Sequence, residues 1–490
     1  MHSFITHCLL LILFTATLSA QERYEQKWMF DNYLMLDFAT EPPTVTRNVP
    51  PVYLGPGNAL SSISDKFGAL QFYTSGCSIY NKNDQVMENG DSINSWFILW
   101  SQCHFGFQTI SMSNTILTNP ADSNQYFVLN MGMDDNNYVP QYLYSHKVDM
   151  SLNNGLGRVT EKLNIVVHDS LSRGFVTAVR HVNNKDWWVV VPKDNSNCYY
   201  IIPVTSEGIG IPQLQCIGIQ YGYEGSGGQV VFSPDRTKYA RIEPSYVDGA
   251  QNGLAIFDFD ASTGIFSNPR TFDYAHDYGF AQGVAFSGNS QYLYITSTNK
   301  IHQYDTNVAD PKTTETLIAE IGPDSLNNIG VPHLMRIGPN GVIYIACLFS
   351  HKFLSTINRP NCPGSLCDFK PYNIAFETYN NDGINSLPNF NIPPQSYDCA
   401  PISSTIPAVS PKPFTLAPNP VTDILTITTD AENPVTAIQL TDGAGRAVKN
   451  WQFQAADRVN ISFEGIPPGI YFCRVLSGGI WRTGKVWKSF

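Results

Sequence analysis

The run Gln229-Val-Val-Phe-Ser-Pro-Asp-Arg-Thr-Lys-Tyr-Ala-Arg-Ile242 decides the fold. An apolar stretch meets a Ser-Pro-Asp turn, and a second strand-like stretch follows. β-Branched and aromatic side chains suit a pleated surface, while Pro and Asp suit a tight turn. Gly253-Leu-Ala-Ile-Phe-Asp-Phe-Asp260 supplies a third strand and Ser262-Thr-Gly264 the next turn. A fourth short strand before Asn268-Pro269 completes the unit.

The unit recurs at Gly283 to Ile295 with Ile301 to Asp305, at Leu334 to Ala346, and upstream at Ala178 to Val189. Weaker copies run from Thr115 to Val128 and from Ile63 to Phe72. The residues just before each turn are Ile63, Thr118, His181, Phe232, Phe286 and Ile337, with gaps of 55, 63, 51, 54 and 51. Near-constant spacing of four-strand units predicts a β-propeller. Another step of 51 from Ile337 lands at Pro388, inside Ile384 to Phe390. That stretch reads as an inner strand without a blade after it, and Trp28 to Phe38 reads as a blade without an inner strand. Together they predict one composite blade and a ring of seven, with six or eight as the alternatives.

Length and composition agree. The 490 residues suffice for two or three domains. Charged residues make up 14%, against roughly 25% in ordinary soluble domains. The formal net charge of −11, with no basic stripe, argues against a nucleic-acid partner. The first twenty residues hold no Asp, Glu, Lys or Arg, Cys8 to Ala16 is apolar, and Leu18-Ser19-Ala20 ends in a small residue. Residues 1–20 are expected to be a signal peptide cut before Gln21. No second long apolar run follows, so the mature chain is expected to have no transmembrane span.

Nine cysteines remain beyond Cys8, an odd number. Cys362 and Cys367, with Cys399 downstream, are the candidates for a local bridge. Cys77, Cys103, Cys198, Cys216, Cys347 and Cys473 lie mostly in apolar runs and read as buried thiols.

After Cys399 the composition changes. Residues 401–413 are rich in Pro and Ser and read as a linker between a propeller at 21–400 and a domain at 414–490. Seven short strands are expected there: Phe414 to Ala417, Asp423 to Thr428, Val435 to Thr441, Arg446 to Phe453, Val459 to Phe463, Gly469 to Leu476 and Trp481 to Trp487. That number in so short a span predicts an Ig-like β-sandwich. Leu416-Ala-Pro-Asn-Pro-Val-Thr-Asp-Ile-Leu425, Leu440 to Val448, Ile466-Pro-Pro-Gly-Ile-Tyr-Phe472 and Thr483-Gly-Lys-Val-Trp-Lys488 occur in one order. This set resembles the type A C-terminal sorting domain of type IX secretion cargo in Bacteroidetes. The resemblance implies export across the outer membrane, the secretion machinery as partner, and a sorting motif at Pro418, Asn419, Pro420, Gly469, Tyr471, Lys485 and Lys488. The body, at Leu36 to Phe38, Ser61 to Asp65, Gly68 to Gly76, Tyr80 to Met87 and Val148 to Gly157, resembles the propellers of gliding-motility-associated surface proteins. That resemblance implies a fold and little about function.

No catalytic, cofactor or metal residue is assigned. Ser226 lacks the Gly-x-Ser-x-Gly pattern, and the Gly cluster around it reads as entry to an inner strand. Asp134-Asp-Asn-Asn137 lacks the spacing of a calcium loop. His181 and Asp186 read as a turn brace. Asp258, Asp260, Asp305 and Glu243 are numerous enough that choosing a glycosidase pair among them would mean little. Asp91-Ser-Ile93, Asp169-Ser-Leu171 and Asp324-Ser-Leu326 resemble short O-glycosylation acceptors. The leading expectation is a secreted or surface propeller that binds a glycan or protein. The rival is a secreted hydrolase acting on polysaccharide.

Overall fold

The strands follow the turn chemistry of the sequence. In the computed structural model, residues 22–30, 34–47, 60–103, 112–134, 139–220, 228–243, 253–273, 283–322, 331–348, 351–380, 383–390, 399, 414–429, 433–442, 446–477 and 480–489 are described. The signal-peptide stretch, the linker, the turn around Ser226 and Asp135–Asn137 lie outside them. Two compact units divide the chain at Ala400 and Pro401.

The first unit is all-β with almost no helix, and its described residues form seven small antiparallel sheets in chain order. The first is β1 (Lys27–Met29), β2 (Leu34–Asp37) and β3 (Thr44–Arg47). The second is β4 (Ser61–Ser64), β5 (Leu70–Thr74) and β6 (Ile79–Asn81), followed by the short helix α1 (Trp96–Ser101). The third is β7 (Asn114–Asn119), β8 (Asp122–Gly132), β9 (Tyr142–Asp149) and β10 (Arg158–His168). The fourth is β11 (Thr177–Arg180), β12 (Trp187–Pro192), β13 (Cys198–Thr205), β14 (Gly208–Ile209) and β15 (Gln213–Cys216). The fifth is β16 (Gln229–Phe232), β17 (Lys238–Glu243), β18 (Gly253–Asp260) and β19 (Ile265–Asp273). The sixth is β20 (Val284–Phe286), β21 (Tyr292–Ser297), β22 (Lys300–Asp305) and β23 (Thr316–Glu320). The seventh is β24 (Val331–Ile337), β25 (Ile343–Leu348), β26 (His351–Ile357) and β27 (Phe369–Asn380).

Ile63, Thr118, Phe232, Phe286 and Ile337 each sit in the first strand of a separate sheet, and His181 follows β11 by one residue. These first strands crowd together. Gly228 and Gly283 stand just before two of them, and a Cβ there would lie 2.0 Å from the Ile242 carbonyl oxygen and 1.9 Å from that of His333. Gln229 ties three sheets at once: its Oε1 accepts from Val284 N and Met335 N, each at 3.0 Å, and its amide donates to the Met335 carbonyl. The first sheet packs on the last through Trp28, Phe30, Leu34 and Leu36 against Leu334, Tyr344, Leu354 and Phe376. Trp28 meets Tyr344 edge-on at 5.6 Å.

The expected composite blade is corrected here. Residues 383–390 join no ladder. They run between the first strands, where Pro388 has no N–H to offer a ladder. Side chains satisfy the segment instead. Ser62 N donates to Asn385 Oδ1 (3.0 Å), Ser386 Oγ donates to the Asn114 carbonyl (2.7 Å), and Asn389 Nδ2 donates to that of Phe232 (3.3 Å). Arg336 donates to the Leu387 and Pro388 carbonyls and to the Glu25 carboxylate. The other Glu25 oxygen accepts Phe390 N at 3.0 Å. The Phe390 ring lies 5.0 Å from both Trp187 and Tyr24.

The cysteine expectations hold for Cys347 and Cys473 and are corrected for Cys77, Cys103, Cys198 and Cys216. Cys77–Cys103, Cys198–Cys216 and Cys362–Cys399 are disulfides, and Cys347, Cys367 and Cys473 are buried thiols. Cys198 and Cys216 are direct cross-strand partners in β13 and β15, a pairing that spacing alone conceals. Cys362 bonds Cys399 rather than Cys367. Burial pushes the Cys367 thiol up to about 11 and the Cys473 thiol up to about 12.

The second unit stacks a sheet of β28 (Phe414–Ala417), β29 (Ile424–Thr429) and β32 (Arg458–Ser462) on a second sheet. That second sheet runs in the order β31 (Ala447–Ala456), β30 (Val435–Asp442), β33 (Gly469–Ser477) and β34 (Ile480–Lys488). Val421, Leu425, Ile427, Leu440, Ile461, Phe463, Val475 and Val486 fill its core.

Two stability predictions follow from this packing. Glu25→Ala leaves the Arg336 charge buried beside the axial segment and should cost about 3–5 kcal/mol. Urea unfolding checks it, and an unchanged midpoint refutes it. The second concerns His146 and His333, which burial holds neutral, down to about 3 from an ordinary 6.5. Their folded pKa values lie below the unfolded ones. Their contribution is therefore complete above about pH 6.5 and is lost as pH falls toward 3. Between pH 6.5 and 5, where most carboxylates stay ionised, stability should fall by up to about 1.4 kcal/mol per pH unit for each histidine. His146→Gln should roughly halve that slope in urea titrations.

Candidate functional site: an aromatic ridge and a motif-bearing sandwich end

The space between the first strands offers little room. The cavity among Met112, Ala178, Gln229, Met335 and Ser386 to Asn389 holds about 30 Å³. The carboxylates weighed for hydrolysis are engaged in local structure. Asp258 binds Arg270 and Asn268, Asp260 caps the Ser262-Thr263 turn, and Asp305 accepts from Gln291 and Asn307. The side chain of Glu243 lies outside the described residues.

His181 and Asp186 brace their turn. His181 N donates to the Asp186 carbonyl, Asn183 N donates to His181 Nδ1 at 3.1 Å, and Asn183 Nδ2 donates to Asp186 Oδ2 at 2.7 Å. His181 is half-buried and its Nε2 lies 3.2 Å from the Ser262 carbonyl of the next sheet. Ser92 and Ser170, of the three acceptor-like triplets, are exposed, and the triplet at 324–326 lies outside the described residues.

The surface feature that sequence reasoning missed is α1. Its Phe97 and Ile98 pack on Met133, with Cys103 alongside. Ser95 Oγ bonds both the N–H and the carbonyl of Met133. Asn94 Nδ2 donates to the Gly76 carbonyl at 2.9 Å and the Met131 carbonyl at 3.2 Å. The Cys77–Cys103 bridge closes the loop that carries the helix. With that side fixed, Trp96 and Trp100, one turn apart, face outward together. They are 74% and 65% exposed, with ring centroids 6.0 Å apart and planes within 6°.

Sheet three carries a second row of parallel rings beside Met133. Tyr142 stacks on Tyr144 at 5.2 Å and on exposed His168 at 4.5 Å. The Tyr142 hydroxyl donates to Asp134 at 2.5 Å, a bond that raises the Tyr142 pKa. Trp96 and Trp100 present exposed ring faces, a surface suited to recognition, while in the second row Tyr142 is half-buried and Tyr144 buried. Ser95-Trp-Phe-Ile-Leu-Trp100 hides this in sequence, because an unbroken apolar run reads as a buried strand.

In the second unit, motif residues distant in sequence meet at one end of the sandwich. Asn419 Nδ2 donates to the Lys485 carbonyl and its Oδ1 accepts Trp487 N, both at 2.9 Å. Val421 N donates to the Trp487 carbonyl at 2.7 Å, and Val421 accepts Ser489 N at 2.9 Å. Gly469 pairs with Lys488 and Tyr471 with Val486. The Tyr471 hydroxyl closes the Pro-Pro turn on the Pro467 carbonyl at 2.7 Å. Pro418 and Pro420 flank Asn419, each after a cis peptide bond.

Residues 415–488 match the model of the secretion system C-terminal sorting domain. The protein is secreted or held at the outer cell surface. Among the described residues no helix is long and apolar enough to cross a membrane. None of the curated proteins compared with the chain matches it. Solved structures similar to it include a candidate 6-phosphogluconolactonase from Bacteroides uniformis, at 10% identity and TM-score 0.44, covering 72% of this chain and 98% of that one. The periplasmic gluconolactonase PpgL of Pseudomonas aeruginosa is 12% identical with TM-score 0.34, over 72% and 90%. The extracellular domain of a one-component system from B. thetaiotaomicron is 10% identical with TM-score 0.37, over 95% and 57%. Likeness this distant carries no inference about activity or substrate.

Asn419→Ala should loosen the terminal strand by about 1–3 kcal/mol, the worth of two hydrogen bonds. Hydrogen exchange at the Trp487 amide is then expected to quicken by about tenfold or more. Unchanged protection there would show that Asn419 does not hold β34.

Proposed function

We propose that this protein is an exported seven-bladed β-propeller that binds a glycan through the ridge of Trp96 and Trp100. In this reading residues 1–20 are a signal peptide, 21–400 the propeller, 401–413 a linker, and 414–490 a type IX sorting domain. Support for the ring comes from the first strands of six sheets, five of which hold a marker residue while the sixth ends one residue before His181, from the packing of the first sheet on the last, and from residues 383–390 between them. Support for binding rests on one observation: two tryptophans stay more than half exposed while the helix that carries them is stapled in place. Soluble proteins seldom leave such rings in water without use. The apolar C–H face of a sugar stacks on an indole, and its hydroxyls bond flanking groups such as Asp134. Two parallel rings suit a ligand that repeats along its length. A polysaccharide hydrolase would need carboxylates on both sides of a bound chain. The described carboxylates named above serve turns and ion pairs instead.

Trp96→Ala and Trp100→Ala should each weaken binding by about tenfold, about 1.4 kcal/mol, with unchanged melting. A glycan array of the mature protein, scored for binding and for cleavage, is the test. Retained binding in the double variant overturns the ridge, and cleaved glycans overturn the non-enzymatic reading.

A further inference from the structure

The hairpin β33–β34 has two faces of opposite character. Tyr471, Cys473, Val475 and Val486 point into the sandwich and are buried. The alternate residues point outward, as a period of two requires. In register they pair as Ile470 with Trp487, Phe472 with Lys485, Arg474 with Thr483 and Leu476 with Trp481. Ile470, Phe472, Trp481 and Trp487 are 50%, 38%, 44% and 57% exposed. Arg474 lies 5.4 Å from the Trp481 ring and donates to Gln439 Oε1 at 3.2 Å. An outward sheet face is ordinarily polar, and this one exposes Ile470, Phe472, Trp481 and Trp487 around Arg474, Thr483 and Lys485.

Charge completes the pattern. The outward residues of the hairpin include Arg474 and Lys485 and no Asp or Glu, in a chain of net charge −11. Exposed tryptophan beside arginine is the composition of an interface centre. The local positive charge selects an acidic partner.

We propose that the outward face of β33 and β34 is the surface by which the sorting domain docks on an apolar, acid-rimmed patch of a protein of the secretion machinery. The inference rests on the sorting role and names the face that performs it. The motif residues hold the terminal strand in place, and the outward residues make the contact.

The test uses the full chain in a type IX-competent cell. Three variants are compared with wild type and with a chain ending at Cys399: Trp481→Ser with Trp487→Ser, Arg474→Glu, and Trp481→Phe with Trp487→Phe. Export is read as protein at the surface or in the medium, and folding as melting temperature and protease resistance of the retained protein. Expected are a loss of export of about tenfold or more in the first two, normal folding in both, and near-normal export of the Phe variant. If the truncated chain is exported normally, the sorting role itself fails. If truncation blocks export while the serine and glutamate variants pass, the sorting role stands and the docking face is wrong. A fall in melting of the first unit in those variants would assign the face to contact within the chain. Binding of the purified protein to anionic lipid vesicles, lost in the same variants while export continues, would assign it to lipid. Each of these last three results overturns the proposal.

Discussion

The Arg336 guanidinium is the constraint on which the first unit depends. It is a buried cation on the first strand of the last sheet, and burial pulls its pKa down while Glu25 pushes back. A buried charge is tolerated only when paired and hydrogen-bonded. Its partners come from three places in the chain: the N-terminal arm at Glu25, the axial segment at Leu387 and Pro388, and the face of Trp28 at 5.2 Å. Sheets that share no hydrogen-bonded ladder are thereby held by one side chain. Arg180 repeats the device on β11, over Trp187 at 4.2 Å and bonded to the Asn184 carbonyl and to Glu22. The N-terminal arm is consequently part of the structure, with Tyr24 and Glu25 both buried.

Filling the centre in this way leaves the proposed recognition to the periphery. A side chain that reaches the axis meets Asn385, Ser386 or Leu387, and its polar groups are consumed there. The periphery is free of that demand. α1 follows β6 outside the ladder of the second sheet and is held by the Cys77–Cys103 bridge. The Cys77–Cys103 bridge reduces the freedom of the loop before any ligand arrives, so less ordering remains for binding to offset.

The sequence carried the strand–turn–strand units plainly, because turn chemistry is local. Val231, Phe232, Pro234 and Asp235 specify a strand and a turn without help from the rest of the chain. The seven strands of the sandwich were legible for the same reason, with ends displaced by at most three residues. Three features were not legible because each depends on a distant partner. Ile384 to Phe390 has the apolar content of a strand, yet its neighbours include Glu25, 365 residues away, whose carboxylate accepts the Phe390 N–H. Cys198 and Cys216 look like buried thiols until β13 and β15 are placed in register. Trp96 and Trp100 look like core until a helix, rather than a strand, turns them to one side.

The sandwich shows why a sorting signal spreads over separate motifs. The terminal strand pairs with β33 on one side and would otherwise present an open edge, where unpaired N–H and carbonyl groups invite other strands. Asn419 closes part of that edge with its side-chain amide, supplying one donor and one acceptor as a backbone would. The flanking prolines have no N–H to pair and leave that work to the asparagine. Val421 then takes up the ladder at Trp487 and Ser489. The Pro-Asn-Pro segment, the Pro-Gly-Ile-Tyr strand and the final Thr-Gly-Lys strand are thus three parts of one edge seal. With the edge sealed, the hairpin can afford an exposed apolar face without recruiting a strand of its own kind, and recognition falls to side chains rather than to the backbone.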